Sequence, residues 1–231
     1  MCHFLIVNTT QKSVDIAIEQ QIVARLTEMI DFKKMPVLPR WIQRQVDRGE
    51  DQRALAIVQF LNTSPDSPWK DRVLMANADD ENGSSSVGQK SYVTSLKKYI
   101  LVPSNPIANW PVEKQQKVLL NYWTAIAALL VDRGDKVSVI FKTNGMELFH
   151  AASPTVFLHL ANRQDFKEET IKGLLSHAFE NLPAEYLGMG QPQFWHRGET
   201  ASGINRAAIR KYAHALAAAI HTPASAGDPV F

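Results

Sequence analysis

WPVEKQQKVLLNYWTAIAALL, residues 110–130, decides the class of fold. Trp110-Pro111 opens the stretch, and proline suits a first helical position because its missing N–H would have no intrahelical partner there. Leu119, Tyr122, Trp123, Ile126, Ala127 and Leu130 then recur at i, i+3, i+4, i+7, i+8 and i+11. That spacing lays one apolar stripe along a helix. Gly134 supplies a stop.

The same period returns on both sides. Residues 168–181 read as a helix, and so do residues 204–220, with Ser202 as a cap and Ile209, Tyr212, Ala213, Leu216 and Ile220 facing inward. Residues 137–141 form a β-branched run expected to be a short strand. Residues 145–160 read as a helix broken at Pro154. On the N-terminal side, residues 91–100 are helical, residues 77–90 a polar loop, and residues 72–76 a strand. Loop chemistry fills residues 62–68, and residues 51–61 form a helix with Leu55, Val58 and Leu61 inward. Further upstream lie a short helix at 41–48, a helical run at 13–30 and an apolar strand at 3–7. The expected fold is therefore α+β and helix-dominated. Residues 1–90 make a partial α/β segment ending in a flexible loop, 91–221 a helical C-terminal region, and 222–231 a disordered tail.

Composition narrows the function classes only a little. The chain has 231 residues, 45% of them apolar, and a formal charge of +2, which permits contact with nucleic acid without demanding it. A single cysteine, Cys2, excludes an internal disulfide and any Cys-based zinc cluster. No apolar run reaches the ~18–20 residues needed to span a bilayer. No secretory leader precedes Val7, so a cytoplasmic location without membrane association is expected. A strand opening at His3 needs a partner for its edge groups. The chain is accordingly expected to be the latter part of a longer protein.

Enzyme motifs are weak throughout. The segment Gly83-Ser-Ser-Ser-Val-Gly88-Gln-Lys90 resembles a phosphate-cradling loop, but Gln89 separates the lysine from the glycine it should follow, and Asp79-Asp80-Glu81 stand just upstream. The seven histidines show no metal-ligand spacing, and His150 and His159 read as core or boundary residues. No Gly-x-Ser-x-Gly elbow exists. No catalytic residue, metal or cofactor is expected.

Arginines carry more. Arg40 and Arg44 recur at i+4 before Arg48, although Asp47, Glu50 and Asp51 dilute that face. Arg206, Arg210 and His214 recur in the same way on the last helix, beside Lys211 and after His196-Arg197. Glu199 is the only acid from His196 to His214. Arg forks bind phosphate oxygens bidentately, so Arg197, Arg206, Arg210 and Lys211 are the primary candidates for nucleic-acid contact, with Arg40 and Arg44 second. A solvated helix face is the plainer reading of the same pattern. Trp195, next to this group, either stacks on a base or anchors its loop to the core.

Four segments in order carry a family resemblance: Phe4-Leu-Ile-Val-Asn-Thr-Thr-Gln-Lys12, Ser91-Tyr-Val-Thr-Ser-Leu96, Asn121-Tyr-Trp-Thr-Ala-Ile126 and Phe141-Lys-Thr-Asn-Gly145. By these the chain resembles the latter part of the DGQHR-domain proteins, the family of DndB-like regulators associated with DNA phosphorothioation. The Asp-Gly-Gln-His-Arg signature itself does not occur in this sequence. The resemblance implies the remnant of a ParB- and sulfiredoxin-like α/β half followed by a helical half. It also implies that Asn8, Thr9, Gln11 and Lys12 line a central cleft. Lys142, Thr143 and Gly145 would begin a helix whose exposed N–H groups could accept an anion. Turn and capping chemistry is the alternative for both groups.

The expected function is that of a DNA-associated regulatory or defence protein acting by binding rather than catalysis. Its expected partners are DNA, other proteins of a DNA-modification or defence system, and a second copy of itself. The alternative is part of a nucleotide-using or nuclease-like enzyme completed by residues elsewhere.

Overall fold

A computed structural model of the chain describes residues 49–76, 78, 86–132 and 138–221. They form a helix-dominated fold with one small parallel sheet. The element order is α1 (Glu50–Thr63), β1 (Val73–Leu74), β2 (Val87–Gly88), α2 (Gln89–Tyr99), α3 (Val112–Leu130), α4 (Thr143–Arg163), α5 (Glu168–Glu180) and α6 (Arg206–Ile220). A 3₁₀ turn at Val139–Phe141 precedes α4, and three more, Ala184–Gly190, Pro192–Trp195 and Thr200–Gly203, join α5 to α6. The strand, cleft and tail expected at 3–12 and beyond 221, and the Arg40–Arg44 stripe, lie outside the described residues.

The apolar stripe of α3 is the spine. Leu119, Tyr122, Trp123, Ile126 and Leu130 are all buried within one cluster that runs from Ala54 to Ile220. At its centre Trp69 makes edge-to-face contacts with Tyr92, Trp123 and Phe141 at centroid distances of 4.8, 5.0 and 5.3 Å. Edge-to-face geometry sets the positive rim of one ring on the negative face of the next, adding about 0.5–1.5 kcal/mol per pair beyond area burial. Tyr122, fully buried, donates its hydroxyl to the Phe149 carbonyl at 2.8 Å. Burial raises its pKa above the ordinary value.

Several sequence expectations are corrected. The β-branched run before α4 is a 3₁₀ turn, not a strand. Ser138 caps it by accepting from the Ile140 N–H, and Ile140 and Phe141 are both buried. A short apolar run buried on all sides has no period by which strand and turn can be told apart. Pro154 does not break its helix: α4 runs unbroken from Thr143 to Arg163. Proline removes the N–H that would have bonded the His150 carbonyl. Ser153 replaces it, its hydroxyl donating to that carbonyl at 2.7 Å. Asn205, not Ser202, caps α6, its Oδ1 accepting from the Ala208 N–H at 2.9 Å. Pro111 stands at the cap of α3 rather than inside it. The polar loop expected up to Lys90 stops earlier, because β2 begins at Val87 and α2 at Gln89. Gln89 is buried, and its side-chain carbonyl accepts from the Ala76 N–H at 3.0 Å, tying α2 to the end of β1.

Helix α4 fixes the functional geometry. Gly145 in its first turn lies against the preceding 3₁₀ turn so closely that a Cβ would sit 2.5 Å from the Ile140 and Val139 carbonyl oxygens. Asn144 donates its side-chain amide to the Ile204 carbonyl, which sets the start of α6 beside the start of α4.

Candidate functional site

Helices α2, α4 and α6 leave a pocket of about 460 Å³ between them, lined by Lys90, Ser91, Thr94, Ser95, Lys98, Thr143, Met146, Glu147 and Arg210. On α2, Lys90, Thr94 and Lys98 stand at i, i+4 and i+8, one face of the helix. Tyr92, Val93 and Leu96 face the core on the other side. Lys90 and Lys98 are thus separated by about 12 Å of helix rise. Lys90, Thr94, Lys98, Thr143 and Arg210 are solvent-exposed, whereas Ser95 and Glu147 are buried at the back.

The two ends of the pocket differ chemically. One end lies at the first turn of α2, with Lys90 and Ser91, and Thr143 from the first turn of α4 lines the same pocket. Neither start has a side-chain cap, and neither first turn contains an acidic residue. Each helix start carries roughly half a positive charge from its aligned peptide dipoles. Lys142, the residue before α4, reaches back to Ser86 before β2, with 3.5 Å between Nζ and Oγ. At the other end Lys98 donates to Glu147 Oε1 at 2.7 Å, and the Tyr99 hydroxyl donates to the same oxygen at 3.3 Å. The Glu147 carboxylate beside Lys98 holds its ammonium above the ordinary pKa, with Tyr99 adding to the effect. Lys98 is thereby partly neutralised, and Lys90 and Arg210 are the pocket's cations outside that pair.

The sequence candidates sort into three groups. Arg210 of the basic helix and Thr143 of the expected helix start line this same pocket, and Lys142 directly precedes Thr143 in the chain. Gly145 is buried against the Ile140 and Val139 carbonyls and is not among the residues lining the pocket. Arg197 and Lys211 are exposed but do not line the pocket, and Arg206 opens α6. Asn8, Thr9, Gln11, Lys12, Arg40 and Arg44 lie outside the described residues.

Trp195 is buried rather than presented to a base. Its indole N–H donates to the Met189 carbonyl at 2.9 Å, and its ring meets Phe149 at 5.4 Å and Phe194 at 5.1 Å. It anchors the 3₁₀ strap to α4.

Sequence reasoning missed Lys90, Ser91, Thr94, Lys98 and Glu147 as a group. The i, i+4, i+8 polar face of α2 was legible, but only tertiary packing brings Arg210 to it. Among the described residues no group of three or more His, Cys, Asp or Glu side chains could hold a metal ion, and no helix is long and apolar enough to cross a membrane. No family model matches the chain, and no match to it was found among the curated proteins or the solved structures.

Proposed function

We propose that the protein is a DNA-associated regulatory or defence protein of the DGQHR-domain, DndB-like type, acting by binding nucleic-acid phosphate in the pocket between α2, α4 and α6. The observation that carries this reading is the meeting of Arg210 and Thr143 in one pocket with Lys90. Two independent strands of sequence reasoning, a basic helix and an anion-accepting helix start, converge there.

The chemistry suits phosphate. Arg210 offers a planar fork of donors and Lys90 a mobile ammonium. The hydroxyls of Ser91, Thr94 and Thr143 supply neutral donors. Two helix starts add a fixed positive potential that costs nothing to organise when the anion arrives. Partner proteins of a DNA-modification system, or a second copy of the chain, would complete the assembly. Within the described residues the pocket is lined by cations and hydroxyls around one buried carboxylate, Glu147, a set suited to holding an anion.

The test is duplex binding as a function of salt. Each neutralised phosphate releases condensed counterion, so affinity must fall steeply as salt rises. A chain that binds neither duplex nor single-stranded DNA even at low salt would end the nucleic-acid reading and leave α6 with a merely solvated basic face.

A further inference from the structure

We infer that the pocket takes a phosphomonoester carried by a single nucleotide unit, in preference to the diester backbone of a continuous duplex. The inference rests on the phosphate-binding reading above and narrows it.

Shape is the first argument. A duplex backbone is a convex ridge that needs a surface of cations, not a recess. This pocket is a recess of about 460 Å³, with Ser95 and Glu147 buried at its back. That volume falls in the range of small-ligand sites, about 300–1,000 Å³, and suits one nucleotide. The second argument is the donor set. Lys90 and Arg210 line one pocket with the hydroxyls of Ser91, Thr94 and Thr143, enough donors for the several terminal oxygens of a dianionic monoester. A diester offers only two non-bridging oxygens and one charge.

The opposite end selects for the rest of the ligand. Glu147 is bonded through Oε1 to Lys98 and Tyr99. A carboxylate there repels a second phosphate and accepts from a sugar hydroxyl or a base amino group. With Lys98 about 12 Å along α2 from Lys90, the two ends are spaced to engage the phosphate and the nucleoside of one unit. Met146 lines the pocket between them and offers an adaptable apolar contact for a base or sugar.

One chemistry has two sources, the phosphorylated end of a strand and a free mononucleotide. Fluorescence anisotropy with a short labelled single strand distinguishes them. The strand is prepared with a 5′-phosphate, with a 3′-phosphate, and with neither, and is competed with dAMP, deoxyadenosine or inorganic phosphate. We expect one phosphorylated strand to bind about tenfold or more tightly than the unphosphorylated one, the scale of a charge-assisted hydrogen-bond pair. Competition by dAMP but not deoxyadenosine identifies the free nucleotide as sufficient. Competition only by the phosphorylated strand identifies the strand end.

Arg210→Gln and Lys90→Gln should each abolish most of the preference while leaving the melting temperature nearly unchanged, because both side chains are exposed. Equal affinity of all three strands for the wild type overturns the inference, as does a preference that survives in both variants. If duplex still binds with a steep salt dependence in that case, the narrowing fails alone. If neither duplex nor any phosphorylated strand or nucleotide binds, the phosphate-binding reading fails with it.

Discussion

Ser95 Oγ lies 2.8 Å from Nδ1 of His150, so the back wall of the pocket is hydrogen-bonded directly into the aromatic core. His150 is fully buried, with its ring 5.3 Å from Tyr92 and 5.6 Å from Trp123 between centroids, and its Nε2 has no hydrogen-bond partner. Burial lowers its pKa to about 3. The ring is therefore neutral at neutral pH. The bond joins α2 to α4 behind the pocket that Ser95 lines.

A pH signature follows from that neutrality. Between the unfolded value near 6.5 and the folded value near 3, the unfolded state holds a proton on His150 that the folded state does not. Stability from this group is complete above the unfolded value and is lost as pH falls toward the folded one, by up to about 1.4 kcal/mol per pH unit. Urea unfolding at pH 7 and pH 5 should show a steeper loss for the wild type than for His150→Gln, whose side chain does not titrate. Equal losses would mean that the histidine is solvated or charged in the folded protein.

Ser95→Ala tests the same bond from the other side. It leaves Nδ1 of a buried histidine without its partner, which should cost about 1–3 kcal/mol in chemical denaturation. An unchanged midpoint would show that the pocket wall and the core are not coupled through this contact.

Two glycines should respond in opposite senses. Gly145→Ala forces a Cβ to within 2.5 Å of two backbone oxygens that cannot swing aside. A loss of about 1–3 kcal/mol or more is expected. Gly173 on α5 is exposed, and a Cβ there would meet nothing within 4 Å. Gly173→Ala should instead raise stability by about 0.4–1 kcal/mol through reduced unfolded-state entropy. Thermal melts of both variants decide, and a neutral Gly145→Ala would contradict the tight seat of α4 on its 3₁₀ turn.

The helices were legible because their apolar residues recur at a period that only one local structure satisfies. The stripe from Leu119 to Leu130 and the inward face Ile209, Ala213, Leu216 and Ile220 both appear as expected in α3 and α6. What period could not convey is compensation. Nothing local to Pro154 says that Ser153 will satisfy the His150 carbonyl, and nothing local to residues 139–141 says that Ile140 and Phe141 are enclosed on all sides. The candidate site divides in the same way. Arg210 and Thr143 carry local signals, a basic face and a helix start. Lys90 was visible only as a misplaced P-loop lysine, and Glu147 as one acid in an apolar helix. Their convergence is a property of how α2, α4 and α6 pack, with Asn144 holding the last two in register through Ile204.

The most direct test of the phosphate-binding pocket is the salt dependence of nucleic-acid affinity in the double variant Lys90→Gln/Arg210→Gln. Each of the two cations should account for about 0.7–0.9 of the slope of log K against log salt. The double variant should therefore flatten that slope by about 1.4–1.8 relative to the wild type, with the melting temperature held within about a degree and any sequence preference retained. A double variant that binds as the wild type does, with the same slope, would contradict the assignment of this pocket as the phosphate site.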